Sequence, residues 1–298
     1  MAKVTVKIFP QEQKPKVILI TGCSSGFGLL IAARLSKNYR VYATMRNLEK
    51  KQALLDEVKK REGRVEILAL DVTKPDTIKS AVSQIIQREG RIDVLVNNAG
   101  YGVGGFFEDL TQEEIRAQFD TNFFGQQNAI REVLPFMRQA RSGKIITVTS
   151  IAGFYSSPAF GSYNSSKWAL EGFLEGLYYE LKPFDIQVCA IEPGSYNTNI
   201  FQANRRYAKG FDNPKSPYYE RSQFLNKKVL DFVSGLRRGP ESVACLAQKL
   251  IESENPPFRN FADPQAKIIL TLKRILPFGL FSVILYRVLF LGLNRKKS

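Results

Sequence analysis

From Lys16 onward, short apolar runs alternate with amphipathic stretches. The runs Val17–Thr21, Arg40–Ala43, Val65–Leu70, Val94–Asn97, Lys144–Thr149 and Gln187–Ile191 are rich in valine and isoleucine and poor in charge, which predicts buried parallel strands. Between them, Gly26–Lys37, Glu49–Arg61, Pro75–Arg88, Gln112–Arg138 and Ser162–Leu181 read as helices. This alternation predicts βαβ units with right-handed crossovers. The fold class is therefore α/β, a doubly wound (Rossmann), mostly parallel sheet with helices on both faces. No repeat, low-complexity tract or linker interrupts the pattern before about residue 195.

After Gly194 the pattern loosens. Residues 197–222 are rich in Asn, Tyr, Pro, Lys and Arg, too long for an ordinary connection. The segment at about 195–222 reads as a substrate loop or lid, or else as a decorative insertion. Helices follow over Gln223–Leu236 and Glu241–Ser253, and a short strand near Phe258–Ala262 would close the sheet edge. The chain thus divides into a basic extension (1–15), one domain (16–263) and a hydrophobic, basic, helical C-terminal segment (264–298). The extension fits either an extra strand or a disordered leader, and it lacks a signal-peptide apolar core.

Composition narrows the chemistry. The chain has no histidine, which excludes Ser-His-Asp triads, Cys-His pairs and HExxH zinc helices. Three cysteines stand far apart with no CxxC spacing, so no metal site or disulfide framework is expected, and a reducing, cytoplasmic setting fits. The net charge of +15 is concentrated at the ends: +3 over 1–16 and +7 over 264–298, leaving +5 for the 247 residues between. No basic stripe with interleaved aromatics marks a nucleic-acid surface. Positive ends suit an anionic membrane surface instead.

The first strand runs straight into Thr21-Gly22-Cys23-Ser24-Ser25-Gly26-Phe27-Gly28, and a helix follows at once. Glycines there let the backbone approach a pyrophosphate, and the helix N-terminus offers free N–H groups. Gly22, Ser24, Ser25, Gly26, Phe27 and Gly28 are therefore candidate dinucleotide contacts. The second strand ends in Met45-Arg46, with no acid before Glu49. A carboxylate there would favour NAD(H). A guanidinium can fork onto a 2′-phosphate, so Arg46, with Ser24 as helper, favours NADP(H). Arg46 as a plain surface charge is the competing reading.

The spacing T-G-x-x-x-G-x-G resembles that of the short-chain dehydrogenase/reductase family. Further motifs follow in order: Asn97-Asn98-Ala99-Gly100, Asn122 within "DTNFFG", Ser150 at the end of "TVTS", Tyr163-x-x-x-Lys167, and Glu192-Pro193-Gly194 with Thr198 beyond. The resemblance covers about two-thirds of the chain closely and implies a seven-stranded sheet in the order 3-2-1-4-5-6-7. It implies catalytic roles for Asn122, Ser150, Tyr163 and Lys167. It places Asp71, Val72, Asn98, Ala99 and Gly100 on the adenosine side, and Pro193, Gly194 and Thr198 at the nicotinamide end. Tyr163 would carry the proton and Ser150 would hold the carbonyl oxygen. Lys167 would grip the nicotinamide ribose, and Asn122 would hold a relay water.

Tyr163 and Lys167 lie at i and i+4, on one helix face. A neighbouring ammonium favours the phenolate, so the Tyr163 pKa is expected to fall toward neutrality. The pocket is expected from loops carrying Tyr101, Val103, Phe106, Phe107, Phe154, Tyr155, Phe160, Tyr196, Phe201 and Tyr207, an aromatic set suited to a hydrophobic alcohol or ketone. Ile275–Leu293 is nineteen residues broken only by Pro277 and Arg287, with basic flanks. It fits an interfacial or pocket-covering helix, a span, or an internal core helix. With residues 256–267 before it, the tail resembles the hydroxysteroid and retinol dehydrogenase-like branch. That branch implies a steroid, retinoid or long-chain lipid substrate, and the family as a whole implies a homo-oligomer. The alternative is a non-catalytic cofactor sensor or scaffold on the same fold. Such proteins usually lose the Tyr or Lys, and this chain keeps both.

Overall fold

The computed structural model describes residues 14–196, 206–236 and 239–293. The elements run β1 (Val17–Ile20), α1 (Gly26–Leu35), β2 (Arg40–Met45), α2 (Gln52–Lys60), β3 (Val65–Ala69), α3 (Pro75–Glu89), β4 (Val94–Asn97) and β5 (Val103–Gly104). Next come α4 (Gln112–Phe119), a π-helical turn (Asp120–Phe124), α5 (Gly125–Ala140), β6 (Gly143–Val148), α6 (Gly161–Leu181), β7 (Ile186–Ile191) and β8 (Arg206–Tyr207). The chain continues through α7 (Tyr219–Ser234), α8 (Glu241–Glu252), β9 (Arg259–Asn260), α9 (Pro264–Ile275) and α10 (Phe278–Phe290).

The main sheet has seven strands, all parallel, in the order β3-β2-β1-β4-β6-β7-β9. Setting aside the short parallel pair β5–β8, this is the expected order. The apolar runs are continuous because both faces of the sheet are covered. In β1, Ile18 and Ile20 pack with α1, α2 and α8, whereas Val17 and Leu19 pack with α3, α5 and α6. Each such fully buried side chain stabilises the fold by roughly 1.5–3 kcal/mol. Helix ends follow local chemistry. Thr111 and Glu114 form a reciprocal capping box on α4. Pro75 opens α3, and Gly90 closes it in the left-handed region.

Three features refine the sequence reading. The long helix expected over Gln112–Arg138 is α4 and α5 joined by the π turn, which adds a residue to the repeat at Asn122. The stretch around Tyr207 is tied down, β8 pairing with β5. The tail is two helices, because Pro277 cannot continue α9. Among the described residues no helix is long and apolar enough to cross a membrane, which removes the spanning reading. The tail also packs inward: Ala266 is fully buried against Ile151 and Phe154, and the Lys273 ammonium donates to the Phe154 carbonyl.

Candidate active site

The glycine turn after β1 is fastened to the strand beside it. The Thr21 hydroxyl accepts from the Asn98 and Ala99 amides at 2.9 and 3.0 Å. The Asn98 side-chain amide donates to the Thr21 and Gly22 carbonyls, both at 3.0 Å. Gly28 is required by crowding, since a Cβ there would stand 2.3 Å from Asn98 Nδ2. Gly26 is required for a different reason. Its φ is +60°, and a Cβ would meet nothing within 4 Å, so the backbone is exposed to open space at the mouth of α1. The side chain of Ser25, at the N-cap of α1, makes no capping hydrogen bond to the first turn. A helix N-terminus without an N-cap side-chain bond, above a left-handed glycine, fits a dinucleotide pyrophosphate. Ser24, Ser25 and Phe27 belong to the same turn, and Phe27 meets Tyr196 edge to face at 5.3 Å between centroids.

Arg46 is exposed just past β2. Asp71 is held at the end of β3, one carboxylate oxygen accepting from the Thr73 amide and hydroxyl at 3.0 and 2.8 Å. Val72 is buried against Gly125 at the start of α5. Thr198 and Phe201 lie outside the described residues.

The four expected catalytic residues come from four elements. The π turn places Asn122 fully inside. Its oxygen accepts from the Tyr101 amide at 3.0 Å. Its amide donates to the Tyr101 carbonyl at 2.9 Å and to the Ser166 hydroxyl at 3.3 Å. Asn122 thus locks the loop after β4 to α6, next to Lys167. Ser150 follows β6, and its hydroxyl accepts from the Ala152 amide at 3.1 Å. That leaves its own O–H to donate. Tyr163 and Lys167 lie on the first turns of α6. The Lys167 ammonium donates to the Val148 carbonyl at 3.0 Å and lies 6.0 Å from the Tyr163 ring centroid.

The electrostatics correct one expectation. Burial pushes the Tyr163 phenol up, and the Ser150 hydroxyl only partly opposes it. Burial also pulls the Lys167 ammonium down to about 8, with Glu171 acting to raise it. Desolvation of the charged form outweighs the neighbouring ammonium, which donates to a backbone carbonyl. The fall toward neutrality is therefore absent from the protein's own side chains.

Asn98, Gly100, Ser150, Tyr163, Lys167, Pro193 and Gly194 all border one cavity of about 420 Å³. Of the expected aromatic set, Tyr101, Tyr155, Phe160 and Tyr196 line it. The others described do not. Phe106 stacks on Tyr218, Phe107 is exposed, Phe154 packs on Phe261, and Tyr207 packs on Phe211. Val103 is buried in β5. The far wall was foreseen only in part, through the pocket-covering option for Ile275–Leu293. It includes Leu225, Lys228, Val229 and Phe232 of α7, Gln265 and Ile269 of α9, and Leu285, Val288 and Leu289 of α10. Their i, i+3 and i+4 spacing was the available signal, but it marks any packed helix face. The Gly194 amide donates to Asp263 at 2.7 Å, and the same side chain caps α9 by accepting from Ala266 at 3.0 Å. The tail is therefore fastened directly to the Pro193-Gly194 turn.

Residues 16–209 match the family model described as short chain dehydrogenase. The chain belongs to the short-chain dehydrogenase family. It is 39% identical over 257 residues to a 3-ketodihydrosphingosine reductase of Bacteroides thetaiotaomicron, covering 86% of this chain and 91% of that protein. It is 35% identical over 271 residues to human retinol dehydrogenase 8, covering 88% and 86% respectively. A solved short-chain dehydrogenase from Streptomyces avermitilis superposes with a TM-score of 0.76 at 31% identity, covering 96% of this chain and all of that one. As a family member the chain is an oxidoreductase of CH–OH and C=O groups with a nicotinamide dinucleotide cofactor.

Proposed function

We propose that this short-chain dehydrogenase interconverts a lipophilic ketone and alcohol of steroid, retinoid or long-chain lipid type, using NADP(H). One observation carries the reading: Ser150, Tyr163 and Lys167 border a cavity whose opposite wall is the mostly apolar side of α7, α9 and α10, with Lys228 and Gln265 as its polar members. Gly22, Ser24, Ser25, Gly26, Phe27 and Gly28 would hold the pyrophosphate. Asp71, Val72, Asn98, Ala99 and Gly100 would face the adenosine. Arg46 would take the 2′-phosphate, and Pro193 and Gly194 would border the nicotinamide. A bound reduced nicotinamide supplies the hydride. Ser150 donates a hydrogen bond to the substrate oxygen, and Tyr163 delivers the proton to that oxygen. A phenol held protonated by burial suits the reducing direction at neutral pH. Lys167 carries the charge that offsets the phenolate left behind. The names of the two relatives, a keto-sphingoid reductase and a retinol dehydrogenase, fit an extended apolar substrate. In a substrate screen with NADPH, long-chain ketones are the expected substrates. Activity confined to small polar ketones would reject the reading.

The tail also supports contact with a membrane surface. No residue of α10 is buried, and Ile275, Phe278, Ile284, Val288 and Leu291 are each at least 45% exposed. Val288 both lines the cavity and lies on the exposed face. Residues 264–298 carry seven basic and no acidic side chains. An apolar face rimmed by positive charge suits an anionic lipid interface. The protein is expected to float with phosphatidylglycerol-containing vesicles at low salt. Absence from the vesicle fraction at every salt concentration would remove this part of the reading.

A further inference from the structure

Behind the reaction site lies a second charged group that the proposed chemistry does not use. Lys167 and Glu171 stand one turn apart on α6, and both are buried. Glu192, just past β7, is fully buried. Arg259 of β9 reaches both carboxyls, its Nη1 donating to Glu171 Oε2 at 2.9 Å and to Glu192 Oε1 at 2.7 Å. The more exposed Glu175 lies 3.5 Å from Nη2. The remaining oxygens, Glu171 Oε1 and Glu192 Oε2, are buried with no hydrogen-bond partner among the described residues. Two ionised carboxylates in so dry a place, sharing one guanidinium, repel each other and lack solvation. Keeping one of the two protonated relieves both costs. The backbone makes room for the arrangement. A Cβ on Gly153, three residues past Ser150, would stand 2.6 Å from Glu171 Cγ. A purely structural tie between β9 and α6 needs one carboxylate, not two.

We infer that Glu171 is a positioning residue for the reaction: its carboxylate, oriented by Arg259, keeps the buried Lys167 ammonium charged beside Tyr163. The balance of effects agrees with the geometry. Burial pulls Lys167 down to about 8, and Glu171 is the group that raises it. Burial pushes Glu171 up, against the Thr149 hydroxyl, Arg259 and Lys167. Burial and Glu171 push Glu192 up to about 8, against Arg259 and Arg274 of α9. Neutralising Glu171 removes the group that favours the ammonium, so Lys167 would lose its proton at lower pH. The catalytic consequence rests on the proposed reaction, whereas the charge on Lys167 does not.

The test is an NMR titration of the cofactor-free full chain carrying ¹³C-labelled lysine, with the Lys167 Cε signal assigned by its loss in Lys167→Met. In Glu171→Gln the Lys167 midpoint is expected at least about one pH unit below wild type. A folded Glu171→Gln protein whose midpoint lies within about 0.3 units of wild type would overturn the inference. Should that variant not fold, the wild-type Glu171 carboxyl carbon carries the test. Coupled groups titrate together, so its signal must show an inflection where Lys167 deprotonates. A Glu171 signal without that inflection would overturn it as well. In turnover, the alkaline limb of ketone reduction in Glu171→Gln is expected to move toward acid by the same interval. A shifted Lys167 midpoint in an enzyme inactive on every ketone would leave this inference standing and reject the proposed reaction.

Discussion

Tyr163→Phe is expected to lower kcat for ketone reduction by at least about 10³-fold while leaving cofactor affinity within about twofold. The chain contains no histidine, so no imidazole can take over the proton. Tyr163 borders the cavity with Ser150 and Lys167, and its hydroxyl is the only difference from phenylalanine. The ring contacts survive the change. A Cβ on Gly102 would stand 3.6 Å from the Tyr163 ring, so the loop after β4 leans on carbon atoms that phenylalanine also has. Binding and chemistry therefore separate: cofactor fluorescence titration reports the first and steady-state rates the second. Turnover within tenfold of wild type would rule out Tyr163 as the proton carrier.

Arg46→Asp is expected to shift the NADP-to-NAD ratio of kcat/KM toward NAD by at least about 100-fold. A charge-assisted hydrogen bond contributes about 1.5–3 kcal/mol, and a carboxylate in its place adds repulsion toward a 2′-phosphate. Arg46 lies exposed past the last residue of β2, where it is available to a ligand. The nearest acid in sequence, Glu49, is engaged locally: its amide donates to the Asn47 side-chain oxygen at 2.9 Å, and its carboxylate accepts from Asn47 at 3.2 Å. An unchanged ratio would show that Arg46 is only a surface charge, and the cofactor preference would need another source.

Fold and site were legible in the sequence to different depths. The parallel strands were clear because burial on both faces leaves runs such as Val17–Ile20 without polar breaks. The glycine turn was clear because Gly22, Gly26 and Gly28 answer to backbone geometry that few other residues satisfy. The π turn at Asn122 was not, because one extra residue in a helical repeat leaves the apolar spacing almost unchanged. The pocket wall was legible only where Ile275–Leu293 offered a pocket-covering helix; its α7 and α9 parts were not, because their residues have the spacing of ordinary packed helices. The Asp263 link to Gly194 and the tail residues on the cavity wall show that the tail closes on the reaction site. The state of Tyr163 was misjudged for a similar reason. The i, i+4 spacing shows the ammonium but not the depth of burial, and burial decides the direction here. Glu171, Glu192 and Arg259 stand far apart in sequence, and they meet because β9 closes the sheet beside β7.

The central claim is that Tyr163 serves a cavity built for apolar carbonyl compounds. It is tested most directly by kcat/KM with NADPH across a homologous series of ketones from about four to sixteen carbons. Each buried methylene is worth roughly 0.8 kcal/mol, so the value should rise by at least about tenfold over the first few added carbons. A series that is flat, or that falls from the shortest member onward, would contradict the account.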